Sequence, residues 1–231
     1  MTTALKISHP YETFYQLGLA SLNDGTFINF ENESLQNASY IQRRILKHLR
    51  IKKLMAEGAL QTALILIRDL RSESGDHISL LCDQASLAYM MKNYSTWSHV
   101  TNEIDELLPH VEDKLGQESL TKTLLLMAKF YEEQGLIRKS YSYLKRAEKI
   151  AHALTRTRIR ANIIRLLSMH SISTELSEYY AELKQVSQSE PEFNTYAEFL
   201  HALILAEAKL FGPISAIENL TIMRAEDKLG A

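Results

Sequence analysis

Apolar residues recur along this chain at three- and four-residue spacing, and the period holds from one end nearly to the other. The clearest stretch is Thr121–Leu154. There Leu124, Met127, Ala128 and Tyr131 fall at i, i+3, i+4 and i+7, which is one face of a helix. After Gly135 the pattern resumes at Tyr143, Leu144, Ala147, Ile150 and Ala151. The spacing predicts two amphipathic helices joined by a turn at the glycine. Neither helix buries its stripe alone, so the pair has to stack on neighbours of its own kind.

The layout recurs. Gln84–Pro109 predicts a helix bearing Ala85 and Ala88, a turn at Lys92-Asn93-Tyr94, a second helix and a closing proline. In Ile51–Leu70, Gly58 takes the turn, Ala63 follows it, and Ile67 and Leu70 continue the second helix. Phe14–Gly18, with a turn at Gly25, opens an earlier unit. A later pair is predicted over 158–169 and 175–186, around a turn at His170–Ser173. Pro191 disfavours helix at Glu190. A last pair is predicted over 193–210 and 213–224, with Gly212 in the turn and Pro213 at the first helical position. Two stretches break the pattern. Asn23–Asn37 is polar and reads as a loop or a broken second helix. Pro109–Ser119 adds about nine residues to the period, as a lengthened helix or a projecting loop.

This layout resembles the tetratricopeptide repeat (TPR) family, a helix–turn–helix unit of 34 residues. The family's pattern falls on Met127, Ala128, Tyr131, Gly135, Ser140, Leu144 and Ala147. Asn93, Tyr94 and Pro109 match the turn and end of the preceding unit, and Leu17, Gly18 and Gly25 match the first. Ala63 and Ser140 hold the small position at which two helices cross closely. Trp97 stands at that position in the Gln84–Pro109 unit, so either that pair is splayed or Trp97 points elsewhere.

The resemblance implies an all-α solenoid of about five stacked helix–turn–helix pairs, a TPR-like right-handed superhelix. It would form a single domain over 1–231. A half-repeat spans 11–43, the clearest repeats span about 44–154, and degenerate repeats span 155–225. The family's inward positions transfer by register to His48, Lys52, Met55, Ser79, Cys82, Ser86, Tyr89, Met90, Lys122, Leu125, Lys129 and Glu132. A groove of that composition suits an acidic partner segment with one or two hydrophobic anchors. The family's carboxylate clamp places Lys and Asn where this chain has His48 and Lys52, so a chaperone-tail receptor is not implied.

Composition narrows the function classes. The 231 residues include 8 Gly and 4 Pro, which favours long helices over a sandwich or barrel. A net charge of −2 supplies no global field for nucleic acid or an acidic membrane. The single cysteine excludes an internal disulfide. The start carries no basic segment followed by a long apolar run, and the longest apolar runs, Ala63–Ile67 and Leu124–Ala128, are far short of a bilayer span. The expectation is a soluble cytoplasmic protein.

Candidate chemistry is sparse. The eight histidines are scattered, without metal-ligand spacing. Cys82 lies among Leu80 and Leu81 and reads as a buried structural thiol rather than a nucleophile. Adjacent acids such as Glu132-Glu133 point about 100° apart on a helix and do not converge. No phosphate-binding glycine loop or nucleophile elbow is present. The chain is therefore expected to be non-catalytic, without cofactor or metal. Basic runs at 43–53 and 145–165 are interleaved with core-type residues and read as solvated helix faces, with an acidic protein partner ahead of nucleic acid. The preferred function is a protein-binding adaptor or scaffold. Its rivals are a regulatory module of a signalling or transcription assembly, and an obligate subunit of a homodimer or hetero-oligomer. Ile214, Ile217, Leu220 and Ile222 near the chain end favour the last.

Overall fold

The structure, a computed structural model, describes residues 10–74, 77–170, 175–189 and 197–218. Among the described residues the chain is helical throughout, without a strand. The helices group into two compact units, Met1–His110 and Val111–Ala231. The division falls at the start of the stretch that overruns the repeat period.

The first unit holds α1 (Pro10–Asn23), α2 (Phe27–Leu35), α3 (Tyr40–Ala56), α4 (Leu60–Ser74), α5 (Ile78–Met90) and most of α6 (Tyr94–Val111). Helix α1 packs on α2 and α3, and α3 packs on α4 and α5, which also touch each other. Apolar periodicity explains the packing. Leu46, Leu49 and Ile51 of α3 are fully buried. A core cluster joins Ile51 to Ala63, Ile67 and Leu70 of α4 and to Leu80 and Leu87 of α5. The entry to α3 is fixed by a capping box: Ser39 accepts from the Gln42 N–H while the Gln42 side chain accepts from the Ser39 N–H.

The second unit holds α7 (Gln117–Glu133), α8 (Ile137–Ile150), α9 (Ala153–Met169), α10 (Leu176–Ser189) and α11 (Ala197–Phe211), after a short 3-10 turn at Glu112–Lys114. Residues 213–218 are helical beyond Gly212. Helices α7 and α8 make the most extensive pair, α8 packs on α9, and α9 carries both α10 and α11. Leu124, Met127, Ala128 and Tyr131 are all buried, as their spacing predicts, against Tyr143, Leu144 and Ala147. Tyr131 and Tyr143 stack with ring centroids 5.6 Å apart. Ser140, buried at the small position, leaves its hydroxyl without a hydrogen-bond partner, so it serves by size rather than polarity.

The turns repeat in conformation as well as place. Gly25, Gly58, Gly135 and Gly212 have φ of 79°, 76°, 71° and 96°, and Lys92 has φ 57°. The chain reverses through the left-handed region at each, which costs glycine little and lysine more. Gly25, Gly58 and Lys92 succeed one another at the 34-residue family period to within a residue.

The irregular stretches resolve as follows. Asn23–Asn37 is a turn and a helix, because Asp24 accepts from the Thr26 N–H and hydroxyl and α2 follows at once. Pro109–Ser119 is divided: α6 ends at Val111 with Pro109 inside it, Glu112–Lys114 form a 3-10 turn, and α7 begins at Gln117. Trp97 does not crowd the α5–α6 pair from outside. It is buried, 4.9 Å from the Tyr89 ring and 6.2 Å from the Tyr94 ring, so aromatic packing replaces the close crossing. Cys82 is half-buried rather than enclosed. The turn at 171–173, Pro191, and Leu220 and Ile222 lie outside the described residues.

Candidate functional site

The residues predicted to face a groove fall in both units. In the first, α3 carries His48, Lys52 and Met55, and α5 carries Ser86, Tyr89 and Met90. The structure brings His48 and Lys52 together through a residue that register reasoning passed over, Asp83 of α5. The Lys52 Nζ lies 2.8 Å from Asp83 Oδ1, and the His48 Nε2 lies 2.5 Å from Asp83 Oδ2. The His48 ring also stacks on Tyr15 of α1, with centroids 6.0 Å apart. Burial pushes the Asp83 carboxyl up, but the imidazole and ammonium more than offset it, and the group is held below its ordinary value. This triad ties α1, α3 and α5 together. His48 and Lys52 are thereby already engaged inside the chain.

Met55 packs against the α3–α4–α5 core cluster. Ser86 donates its hydroxyl to the Cys82 carbonyl at 2.8 Å, a bond within its own helix. Ser79 sits in the first turn of α5, half-buried. Tyr89 and Met90 are 38% and 49% exposed, which leaves them as the apolar surface offered by α5.

In the second unit, all four predicted residues lie on α7. Glu132 receives both guanidinium nitrogens of Arg165 in α9, each at 2.7 Å, a bidentate pair. These hydrogen bonds lead a set of favourable interactions that outweighs burial and holds the Glu132 carboxyl below its ordinary value, while Arg165 is raised. Lys122 pairs with Glu118 at 2.6 Å and Lys129 with Glu133 at 2.5 Å, both one turn along the same exposed helix face. Such exposed pairs contribute little to stability. Leu125 is half-buried beside them.

The sequence separations of these contacts form a pattern. Lys52 and Asp83 are 31 residues apart, His48 and Asp83 are 35, and Glu132 and Arg165 are 33. On the second helices, Arg71 and Glu103 are 32 apart, and Lys145 and Tyr179 are 34. Each joins helices two apart in the chain. A strict 34-residue step from Lys52 and Glu132 lands on Ser86 and Leu166, so register alone does not find Asp83 or Arg165.

The basic runs are largely consumed within the fold. Lys47 pairs with Glu73 at 2.6 Å, and Arg43 donates to the Ala38 carbonyl. Arg146 pairs with Glu112 at 2.6 Å. Glu148, buried in α8, accepts from Arg160 at 2.8 Å and from the Tyr179 hydroxyl at 2.9 Å, with Lys145 at 3.2 Å. Burial raises the Glu148 carboxyl and these donors lower it further than that, leaving it depressed. Tyr179 is pushed above its ordinary value by burial and by the carboxylate it bonds.

Among the described residues no three His, Cys, Asp or Glu side chains gather as a metal site, and no helix is long and apolar enough to cross a membrane. No protein-family model matches the chain, and no curated protein matches its sequence.

Proposed function

We propose that the chain is a non-catalytic protein-binding adaptor built as a TPR-like solenoid of about five helix pairs, right-handed and concave on the face of its first helices. The observation that carries the solenoid reading is the ladder of polar contacts one repeat apart. A contact such as Lys52–Asp83 or Glu132–Arg165 arises when equivalent faces of successive helix pairs touch, as stacked repeats require. Left-handed turns at the family period support it as well.

The surface offered to a partner is narrower than the register alone suggests. His48, Lys52 and Glu132 hold the repeats together. The contact residues on this reading are Tyr89 and Met90 in one unit, and Lys122, Leu125 and Lys129 in the other. Exposed aromatic and methionine side chains supply adaptable apolar contact, and the two lysines favour an acidic segment. The partner on this reading is a cytoplasmic protein or peptide with an acidic segment; the alternative is that the chain is a regulatory module of a signalling or transcription assembly.

The test is affinity purification of the tagged chain from its native cell. Lys122→Glu with Lys129→Glu, and separately Tyr89→Ala with Met90→Ser, are expected to lose the co-eluting partner. Recovery unchanged by both pairs overturns the groove reading. A second reading, an obligate oligomer, is favoured by Phe211, Ile214 and Ile217, which are 63%, 72% and 63% exposed. Light scattering that gives a monomer at micromolar concentration removes a homodimer.

A further inference from the structure

A cavity of about 270 Å³ opens in the first unit where α3, the end of α4 and the start of α5 meet. Its floor is apolar. Leu70 and Leu80 belong to the core cluster, and Ile45 is half-buried. Ile41 also lines the cavity and is 43% exposed. Arg44 reaches the cavity from α3, and His77 and Ser79 reach it from the start of α5.

Arg44 differs from its neighbours in the basic run. Lys47, Arg50 and Lys53 each face a carboxylate, whereas Arg44 rests over the Tyr40 ring at 5.8 Å and has no carboxylate partner among the described residues. The ring leaves its in-plane N–H donors unused, and these are the donors that fork onto a carboxylate. The His77 side chain makes no capping bond, and the Ser79 hydroxyl has no partner among the described residues. His48 also lines the cavity, but its Nε2 is held by Asp83, so it contributes a ring wall.

We propose that this cavity is a binding site for a small amphipathic carboxylate, with an alkyl or aryl chain on Ile41, Ile45, Leu70 and Leu80 and the carboxylate on Arg44, assisted by His77 and Ser79. The volume lies just below the usual range for ligand pockets and suits a chain of about six carbons rather than a nucleotide or a long acyl chain. A lining of four apolar side chains with a few polar groups among them is the composition such a ligand requires. The chemistry has two sources, a free organic acid or an acidic residue beside a leucine in a peptide. The cavity shares His48 and Ser79 with the predicted groove, so its peptide source rests on the adaptor reading, whereas binding of a free acid is read without any partner and survives a failed partner purification.

The experiment uses the full chain with labelled Ile and Leu methyl groups, followed by NMR during titration with sodium hexanoate. Saturable shifts confined to Ile41, Ile45, Leu70 and Leu80 are expected, with hexanol binding at least about tenfold more weakly because it lacks the charge-assisted bond. Arg44→Gln is expected to remove the difference between acid and alcohol. A third titration with acetyl-Leu-Asp-amide assigns the source: tighter binding than hexanoate indicates a peptide, weaker binding a free acid. No methyl shifts with any of the three, or equal affinity for hexanoate and hexanol in the unmodified chain, overturns the proposal. That last comparison needs no variant, so it decides even if Arg44→Gln fails to fold.

Discussion

Lys92 and Gly135 occupy equivalent turns in successive helix pairs, and opposite substitutions there should have opposite signs. Lys92 has φ 57° and Gly135 has φ 71°, both in the left-handed region. An L side chain there costs roughly 1–2 kcal/mol, because Cβ crowds the backbone carbonyl. A Cβ built on Gly135 meets nothing within 4 Å, so no clash adds to that cost. Alanine also restricts the unfolded chain, which returns about 0.4–1 kcal/mol. The net expectation for Gly135→Ala is a loss of about 1 kcal/mol. For Lys92→Gly the same terms reverse, and a gain of about 0.5–1 kcal/mol is expected. The assay is urea unfolding followed by far-ultraviolet circular dichroism, reading the midpoint at unchanged slope. Shifts of the same sign for both variants, or no shift for either, would refute the claim that these turns are conformationally equivalent.

Asp83→Ala is expected to cost about 2–3 kcal/mol in the same assay, since it leaves His48 and Lys52 half-buried without their counter-charge. Acid should unfold the chain through its depressed carboxyls. Asp83, Glu132 and Glu148 lie below their ordinary values of 3.8, 4.5 and 4.5, so the unfolded chain takes protons first. Their contribution is complete above about pH 5 and is lost as pH falls from about 4.5 through the folded-state values. Glu132→Gln should flatten that acid limb, and an unchanged limb in circular dichroism would count against it. Gly18→Ala is expected to destabilise despite better helix propensity, because its Cβ would overlap the fully buried Leu49; a raised thermal midpoint would contradict this. Trp97→Ala should cost about 3–5 kcal/mol, as a large buried side chain removed from an aromatic cluster, and a thermal melt within a degree or two of the parent would argue otherwise.

Helices were legible where apolar spacing decided them. Thr121–Leu154 gave α7 and α8 because a stripe such as Leu124, Met127, Ala128 and Tyr131 has no other way to leave water. The Gly turns were legible because φ is a property of the residue itself. Lys92 marked a turn only through its neighbours Asn93 and Tyr94. What periodicity could not resolve was the partner of each charge. His48 and Lys52 read as groove lining because a helix face says which way a side chain points, not what it meets. Asp83 stands on another helix, and only packing brings it within 2.5 Å of His48. The same holds for Glu132 and Arg165. Trp97 was misfit to its position for a related reason: a repeat register assumes a close crossing, and the rings of Tyr89 and Tyr94 define a different one.

The chain has one tryptophan, Trp97, buried in the unit Met1–His110 with tyrosine rings 4.9 and 6.2 Å away. It is therefore an intrinsic fluorophore that reports on one half of the molecule alone. Excited selectively, its emission should move to longer wavelength when the first unit opens and stay silent when the second does. Helicity is spread over both units, so the two signals read different things. Coincident melting curves would mean that the units unfold as a single cooperative block. Separated curves would give the order in which they come apart, from an unlabelled and unmutated chain.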